Sequence, residues 1–321
     1  MNEVDNVGYL GIDVGSISTK GVVIDKDFRI IAKTYLRTQG QPIQSIKELL
    51  TKLSSQVDRK TKIFGAGTTG SARRLAGIML QADIVKNEII AHAIAASYFH
   101  PDASTVIEIG GQDSKIIILR DGIPVDFAMN TVCAAGTGSF LDHQATRLGI
   151  PIEEFGGRAL QAKNRVNIAG RCTVFAESDM IHKAQLGIAT EDIISGLCDA
   201  IVRNYLNAVA KGKEIKPLIL FQGGVAANIG VRKAFERALE QEIIVPDHFL
   251  VMGAIGAAIL AQEATDSKKT RFAGFEIADI PFQSRAFECE GCPNRCEVIE
   301  TLKEEVIIDR YGDRCGKWSE L

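Results

Sequence analysis

The stretch Gly11-Ile12-Asp13-Val14-Gly15-Ser16-Ile17-Ser18-Thr19-Lys20, near the start of the chain, contains a turn of small and hydroxyl-bearing residues between two β-rich runs. Small residues let backbone N–H groups approach phosphate oxygens, and the hydroxyls and the lysine supply further donors. A carboxylate at the end of the first strand could hold Mg²⁺ through water. A plain β-turn is the alternative for this motif taken alone. The candidate phosphate contacts are Gly15, Ser16, Ser18, Thr19 and Lys20, with Asp13 as the candidate for Mg²⁺ and catalysis.

The same pattern returns further along the chain. An apolar strand from Ser104 to Ile109 leads into Gly110-Gly111-Gln112-Asp113-Ser114-Lys115, and a second strand follows from Ile116 to Arg120. Two such hairpins about a hundred residues apart indicate an imperfect duplication, with two related α/β domains facing one another across a cleft. Gly110 and Gly111 are candidate phosphate contacts. Asp13, Gln112 and Asp113 remain alternatives for the group that acts on the attacking water.

A third glycine element follows the strand predicted from Pro217 to Phe221. In Gly223-Gly224-Val225-Ala226-Ala227-Asn228, the two glycines would let an adenine ring pass close to the backbone, and Asn228 could make a polar contact. Three such elements in this order favour ATP binding. Neither a P-loop nor a dinucleotide motif stands where it should. Gly65-Ala66-Gly67-Thr68-Thr69-Gly70 has the dinucleotide spacing but is predicted to be an interdomain turn.

Length and composition limit the classes of protein. With 321 residues and 46% hydrophobic content, the chain can bury the cores of two domains. The net charge is −3, and no run of lysines or arginines would follow a phosphate backbone, which argues against nucleic acid. No stretch of about eighteen apolar residues and no secretion signal is found, so we expect no membrane partner and a cytoplasmic location. The predicted boundaries are 1–100, 101–266 and 267–321, the last being a small cysteine-rich extension.

Two cysteines of the central region each stand before a predicted helix. Cys133 precedes Ala134-Ala135-Gly136-Thr137-Gly138, and Cys172 precedes Thr173-Val174-Phe175-Ala176-Glu177-Ser178. The partial positive charge of a helix N-terminus suits a thiolate or an anionic iron–sulfur cluster, and Gly136, Thr137 and Gly138 are further candidate cofactor contacts. Two cysteines are half of what a [4Fe–4S] cluster needs, so the simplest completion is a homodimer sharing one cluster. Two buried, inert cysteines are the alternative, and Cys198 is assigned that role.

Together these motifs resemble the ATP-dependent activator (archerase) family, which comprises activators of 2-hydroxyacyl-CoA dehydratases and nucleotide-binding subunits of benzoyl-CoA reductase. The resemblance runs from about Tyr9 to Gln262 and rests on a set of motifs: Gly11 to Lys20, Ile109 to Asp113, Cys133 to Gly138, Cys172 to Ser178 and Gly223 to Val225.

The resemblance implies a homodimer with the α/β fold of the acetate- and sugar-kinase/actin superfamily, two actin-like domains around an ATP cleft. It implies ATP or ADP with Mg²⁺ as ligands, and one [4Fe–4S] cluster bridging Cys133 and Cys172 of both subunits. ATP hydrolysis would drive electron transfer to a partner iron–sulfur enzyme of the double-cubane or dehydratase type, with a ferredoxin or flavodoxin as donor. Oxygen-sensitive, cytoplasmic operation is also implied.

Two features depart from the family pattern. Glu108 stands where an aspartate is expected before the second glycine pair, which puts a Mg²⁺ role for that carboxylate in question. The tail after Gln262 has no counterpart in the short dehydratase activators. Extended tails, and the context Asn130-Thr131-Val132-Cys133, are closer to reductases that serve double-cubane-cluster proteins or to uncharacterised relatives.

The tail carries Cys289, Cys292, Cys296 and Cys315, a four-thiolate set with the spacing of a metal site. A tetrahedral Zn²⁺ site would stabilise a segment too short for its own core, whereas a second [4Fe–4S] cluster would add an electron relay. Structural Zn²⁺ is slightly favoured.

Two other classes of function compete with an electron-transfer activator. In a small-molecule kinase, Asp113 would deprotonate a substrate hydroxyl and the core cysteines would be incidental. The sequence shows no obvious sugar pocket, and clustered cysteines serve no kinase purpose. A redox-sensing or metal-sensing regulatory ATPase would differ in passing no electrons onward.

Overall fold

The computed structural model describes residues 6–130, 133–265 and 269–319, and its contacts divide the chain into two units. Unit 1 consists of Met1–Glu88 and Gly253–Leu321, and unit 2 of Ile89–Met252. The strands are β1 (Asn6–Val14), β2 (Ser18–Ile24), β3 (Ile30–Arg37), β4 (Thr61–Thr69), β5 (Ile84–Val85), β6 (Thr105–Ile109), β7 (Ser114–Arg120), β8 (Ile123–Asn130), β9 (Ile219–Gln222), β10 (Ile243–Ile244), β11 (Phe282–Glu288), β12 (Glu297–Lys303) and β13 (Val306–Tyr311). The helices are α1 (Pro42–Gln56), α2 (Arg73–Leu80), α3 (Glu88–Phe99), α4 (Gly138–Leu148), α5 (Ile152–Ala159), α6 (Thr173–Gln185), α7 (Thr190–Ala208), α8 (Ile229–Leu239) and α9 (Met252–Thr265).

The two units repeat one sheet topology. In unit 1 the strand order is β3-β2-β1-β4-β5, and in unit 2 it is β8-β7-β6-β9-β10. In each sheet the first three strands along the chain form antiparallel pairs, and the first strand also pairs in parallel with the fourth. The duplication predicted from the two glycine hairpins is therefore present in the sheet topology.

The sheet of unit 2 is covered on both faces. Ile116 and Ile118 of β7 pack in the cluster formed with α4 to α8, whereas Ile117 and Leu119 pack in the cluster that contains α3. Successive side chains of a strand point to opposite faces, so a strand buried on both sides is apolar throughout. None of the described helices has the length and apolar character needed to span a membrane.

The division of the chain differs from the predicted boundaries at both ends of unit 2. Helix α3 lies before the predicted boundary at 100/101, yet Ile89, Ala93 and Ala96 pack against β6 and β7 of unit 2. Helix α9 was predicted in the second domain, yet the structure assigns Gly253 onward to unit 1. The reason is packing, since a helix belongs with the apolar surface that it covers.

The tail also belongs to unit 1. Strands β11, β12 and β13 form an antiparallel sheet of their own, but Ile277 and Phe282 are buried in the core cluster of unit 1. Arg74 on α2 pairs with Asp309 at 3.1 Å and lies 4.8 Å from the centre of the Tyr311 ring. The tail is thus attached to unit 1 by both apolar and charged contacts.

Glycines in β1 and β4 let helix α9 approach the sheet of unit 1. A Cβ atom on Gly11 would lie 1.9 Å from the carbonyl oxygen of Ala254, and one on Gly67 would lie 2.2 Å from that of Ala257. Gly65 faces Ala261 in the same way. The prediction of an interdomain turn over 65–70 is therefore wrong: residues 65–69 lie in β4, and two of the glycines accommodate the helix backbone.

Replacing Gly11 with alanine is expected to lower the free energy of unfolding by about 3 kcal/mol or more, because backbone atoms of α9 cannot move aside for the new methyl group. The control is Gly157→Ala at an exposed position of α5, where an added Cβ meets nothing within 4 Å. Helix propensity should leave that variant unchanged or stabilised by up to about 1 kcal/mol. Urea unfolding of both proteins measures the difference, and equal stabilities would contradict the proposed packing.

Candidate functional site

The first glycine turn, in unit 1, is built around a buried carboxylate. Asp13 is the second-last residue of β1 and is 5% exposed. It faces Lys20 of β2 in the strand register, and Lys20 Nζ lies 3.1 Å from Asp13 Oδ2. Gly15 closes the turn by donating its N–H to the Ser18 carbonyl at 2.9 Å. An acid and a lysine are thus paired at the turn.

Two of the three remaining candidates in this turn, all of which bear hydroxyls, face inward. Thr19 is fully buried and Ser18 is 8% exposed. The Thr19 hydroxyl is 3.0 Å from that of Thr38, which donates to the Gly15 carbonyl at 2.8 Å. Ser16, by contrast, is exposed. Among the hydroxyls of the turn, only that of Ser16 is exposed.

Gly70 also belongs to this site, although the sequence placed it in a predicted interdomain turn. Its φ is +90°, and a Cβ would lie 2.5 Å from Asp13 Oδ1. The residue after β4 must therefore be glycine for the backbone to pass the carboxylate. Its signal in the sequence was the glycine that ends the run from Gly65.

The second turn, in unit 2, repeats the acid–lysine pair with an additional carboxylate. Lys115 is 1% exposed, and its Nζ lies 2.7 Å from Glu108 Oε2 and 2.8 Å from Asp113 Oδ2. Glu108 and Lys115 face each other across β6 and β7, as Asp13 and Lys20 do across β1 and β2. Glu108 is thus occupied by a buried ion pair. Gln112 is exposed, whereas Asp113 is partly buried and held.

A tyrosine of helix α7 is hydrogen-bonded to the backbone of this turn. The Tyr205 hydroxyl donates to the Lys115 carbonyl at 2.7 Å. Burial, with Glu108 nearby, raises the pKa of Tyr205 well above its ordinary value, so the hydroxyl keeps the proton that it donates. The lysine between the two carboxylates is therefore fixed at its backbone as well as at its ammonium group.

The third glycine element lies beside Glu108. Gly223 has φ of +85°, and a Cβ there would lie 2.4 Å from the Ile109 carbonyl oxygen and 2.6 Å from Glu108 Oε1. Gly224 has open space at the corresponding position. Asn228 caps α8, because its Oδ1 accepts from the Val231 N–H at 3.1 Å, while its buried Nδ2 has no partner among the described residues. The cap leaves the amide nitrogen of Asn228 for a further contact.

Cys133 and Cys172 stand at helix starts in unit 2, as the sequence predicted. Cys133 is the N-cap of a short 3-10 turn, Ala134–Gly136, which leads into α4, and Cys172 is the N-cap of α6. Both are partly buried. Cys198 lies inside α7, where burial raises the pKa of its thiol to about 12. Cys133 and Cys172 therefore each cap a helical segment, whereas Cys198 lies inside a helix.

A network of asparagines holds the backbone around both cysteines. Asn130 Oδ1 accepts from the Cys133 N–H at 3.0 Å, and Asn130 Nδ2 donates to the Cys133 carbonyl at 2.8 Å. On α7, Asn204 Nδ2 donates to the Gly170 carbonyl at 2.9 Å, two residues before Cys172. A Cβ on Gly136 would lie 2.8 Å from Asn204 Oδ1, so both cysteine loops contact the same asparagine.

The tail cysteines are arranged differently. Cys289 is buried and its Sγ accepts from Trp318 Nε1 at 3.3 Å, a hydrogen bond that lowers the pKa of the thiol. The Cys289 N–H donates to the Cys296 carbonyl at 2.8 Å, whereas Cys292 and Cys315 are exposed. Across the described ranges, no three or more His, Cys, Asp or Glu side chains are placed to hold a metal ion. The tail metal site stays a prediction from sequence.

Comparison with known proteins adds the family. The model of the BadF/BadG/BcrA/BcrD ATPase family matches residues 10–261, which include both turns, Cys133 and Cys172. The chain belongs to this family. The tail cysteines lie outside the match.

Similar proteins in this family include the 2-hydroxyisocaproyl-CoA dehydratase activator of Clostridioides difficile, 33% identical over 268 residues, 81% of this chain and 97% of that protein. The (R)-2-hydroxyglutaryl-CoA dehydratase activating ATPase of Acidaminococcus fermentans is 36% identical over 256 residues, 78% of this chain and 96% of that protein. The solved structure of the Clostridium difficile activator with bound ADPNP has a TM-score of 0.75 at 33% identity, covering 81% of this chain and 96% of that one.

Membership of the BadF/BadG/BcrA/BcrD ATPase family confirms the predicted fold, two α/β units of the actin and sugar-kinase type with a C-terminal extension. It also favours the activator over the small-molecule kinase, because the similar proteins named above are dehydratase activators.

Proposed function

We propose that this protein hydrolyses ATP and uses the hydrolysis to drive electron transfer from an iron–sulfur cluster to a partner iron–sulfur enzyme. The observation that carries the proposal is that unit 2 combines a lysine-bridged acidic turn with two cysteines at helix starts. A kinase would need the first feature alone.

For the nucleotide, the proposal assigns phosphate contacts to the two turns and adenine contacts to the third glycine element. Gly15, Ser16, Ser18, Thr19 and Lys20 would serve in the first turn, although the buried hydroxyls of Ser18 and Thr19 leave chiefly their backbone amides for this role. Gly110 and Gly111 would bind phosphate in the second turn, and Gly223, Gly224 and Asn228 would contact the adenine. Asp13 would hold Mg²⁺ through water, which suits a buried carboxylate at a strand end.

For the water that attacks the terminal phosphate, Asp113 is the best supported of the three candidates. Its carboxylate is fixed by Lys115 Nζ at 2.8 Å yet keeps 32% of its side chain exposed. Gln112 is exposed, and Asp13 is held by Lys20 but is only 5% exposed. A group that orients water must be both held and accessible, and Asp113 meets both conditions.

For the cluster, the residues present fit a shared site. Cys133 and Cys172 are partly buried thiols. Cys133 caps the 3-10 turn that leads into α4, and Cys172 caps α6, whose first N–H groups would favour an anionic group. Two thiols from each of two copies would complete a [4Fe–4S] ligand set, and Gly136, Thr137 and Gly138 would line the Cys133 side. When bound, the cluster would supply a low-potential one-electron carrier.

The second copy that this ligand set requires has a suitable surface. Val174 and Phe175, directly after Cys172, are 65% and 68% exposed on the first turn of α6. Large apolar side chains at such exposure are typical of contact surfaces. We therefore assign this turn to the homodimer interface around the proposed cluster.

The proposed acceptor is an iron–sulfur enzyme of the 2-hydroxyacyl-CoA dehydratase type, or a double-cubane-cluster protein, with a ferredoxin or flavodoxin as donor. The test is phosphate release from ATP by the anaerobically purified protein, with and without a reduced dehydratase. We expect the partner to change the rate, whereas heat-inactivated dehydratase should have no effect. A rate that the active partner leaves unchanged, or no hydrolysis at all, would contradict the proposal.

The tail cysteines give a separate prediction, with structural Zn²⁺ or a second cluster as the bound group. The Cys292→Ser variant is expected to lose about one zinc per chain relative to the wild type, because a tetrahedral site needs four ligands. Loss of iron and sulfide together would instead identify a second cluster. Zinc and iron contents equal to those of the wild type would show that the tail holds no metal.

A further inference from the structure

The second turn, Gly110 to Lys115, is hydrogen-bonded directly to the segment that carries Cys133. The Gly138 N–H donates to the Gly110 carbonyl at 2.8 Å, and the Ser139 N–H donates to the Gly111 carbonyl at 2.8 Å. The Ser139 hydroxyl donates to the same Gly111 carbonyl at 2.5 Å. Three hydrogen bonds therefore join the start of α4 to the two glycines of the turn.

The residues between Ser139 and Cys133 are held as one piece. The Thr137 hydroxyl donates to the Ala134 carbonyl at 2.8 Å, and the Thr137 N–H donates to the same atom at 3.1 Å. The Asn130 side chain accepts from the Cys133 N–H and donates to the Cys133 carbonyl. A short segment fixed at these points moves as a unit, so a shift at Ser139 displaces Cys133.

The loop before Cys172 has a different attachment. Asn204 of α7 donates to the Gly170 carbonyl at 2.9 Å, and Arg203 of α7 donates to the Ile168 carbonyl. Neither recorded contact is to the glycines of the turn. A movement of Gly110 and Gly111 would therefore act directly on the Cys133 segment. It would reach Cys172 only indirectly, through Asn204, which lies beside Gly136, or through Glu177 of α6, which pairs with Arg147 of α4.

We propose that Ser139 is a positioning residue that transmits the nucleotide state of the Gly110–Gly111 turn to Cys133 more strongly than to Cys172. Phosphate bound at the turn shifts the two glycine carbonyls, and the three hydrogen bonds carry the shift into the Cys133 segment. One thiol then moves relative to the other, which changes the setting of any group that both hold. The inference rests on the proposed binding of nucleotide phosphates at this turn.

The test measures thiol reactivity in the full-length, iron-free, reduced protein, so that it does not depend on activity. Iodoacetamide labelling of Cys133 and Cys172 is followed by peptide mass spectrometry, without nucleotide and with ADPNP, whose binding is measured separately by calorimetry. In the wild type we expect ADPNP to change the labelling rate of Cys133 more than that of Cys172. In Ser139→Ala, the ratio of the Cys133 labelling rates with and without ADPNP should move toward one. The expected change is up to about five-fold, which corresponds to the free energy of one hydrogen bond.

Two further variants make the result specific. Ser139→Thr keeps the hydroxyl and should restore the wild-type ratio. Thr146→Val removes a hydroxyl elsewhere on α4, one that bonds only to the Asp142 carbonyl of its own helix, and should leave the ratio unchanged. Circular dichroism of each variant establishes that it is folded.

Two outcomes would overturn the inference. If ADPNP binds and changes Cys133 labelling equally in the wild type and in Ser139→Ala, the serine transmits nothing. If ADPNP binds and Cys133 labelling does not respond in the wild type, the turn is not coupled to the cysteine, while the proposed ATPase function stands. If no nucleotide binds, the inference falls together with the proposed function.

Discussion

Replacing Cys133 with serine is expected to remove the bound iron from the anaerobically purified protein, from about four irons per dimer in the wild type to near zero. Cys133 would supply one ligand in each copy, so the variant loses two of the four thiolates at once. A hydroxyl in place of a thiolate binds iron weakly, and the site is shared between copies. Iron and acid-labile sulfide per dimer are the quantities to measure, and Cys172→Ser should give the same result.

The matched control is Cys198→Ser, the third cysteine of unit 2. Cys198 is fully buried inside α7, with a thiol pKa of about 12, and is not at a helix start. Its replacement should leave iron and sulfide at wild-type levels. Full iron in Cys133→Ser, or equal loss in Cys198→Ser, would contradict the assignment of Cys133 and Cys172 as the ligand pair.

Replacing Asp113 with asparagine is expected to lower the rate of ATP hydrolysis by about 100-fold, with little change in nucleotide affinity. Asparagine keeps the shape of the side chain but removes the charge that Lys115 fixes at 2.8 Å and that would orient the attacking water. Steady-state phosphate release gives the rate, and ADPNP binding gives the affinity. Gln112→Ala, which changes an exposed neighbour, should have a much smaller effect.

Asp126→Asn is the control for loss of a lysine-paired carboxylate. Asp126 on β8 pairs with Lys213 at 2.6 Å and lies outside the proposed nucleotide contacts. Its variant should hydrolyse ATP at the wild-type rate. If Gln112→Ala loses more activity than Asp113→Asn, the water-orienting role belongs to the glutamine.

Local patterns were sufficient to predict the repeated architecture. Each turn is encoded by adjacent residues, and the return of strand, glycine pair and strand at Gly110 predicted a second unit with the sheet topology of the first. The helices that follow Cys133 and Cys172 were also predicted, from the residues directly after each cysteine. Short-range sequence therefore specified where the candidate groups stand along the chain.

Features that depend on distant packing were not predictable in this way. Gly65 and Gly67 have no room for a side chain, because the backbone of α9 lies against β4 at both positions. That helix comes almost two hundred residues later in the chain. The tail was predicted as a separate extension, yet Ile277 and Phe282 are buried in the core cluster of unit 1, and Phe272, Phe275 and Ile280 pack against it. In both cases the partner surface is remote in sequence, and only the alanine-rich and glycine-rich character of α9 gave a signal.

The acid–lysine pairs lie between these extremes. The second turn was predicted to bind phosphate, but the position of Lys115 between Glu108 and Asp113 was not predicted. The antiparallel register would have indicated it, because Asp13 faces Lys20 and Glu108 faces Lys115 at equivalent places. Asn204 had a weaker signal: it follows Ile201 by three residues on α7, at the spacing of the buried apolar face.

In the proposed function, ATP hydrolysis controls the transfer of an electron to the partner. The most direct measurement starts from the anaerobic, dithionite-reduced protein freed of reductant and mixed with an oxidised 2-hydroxyacyl-CoA dehydratase. The cluster's visible absorption is followed with ATP, with ADPNP and without nucleotide. Reoxidation with ATP and not in the other two conditions is the predicted result; reoxidation at one rate in all three, or in none, would contradict the claim.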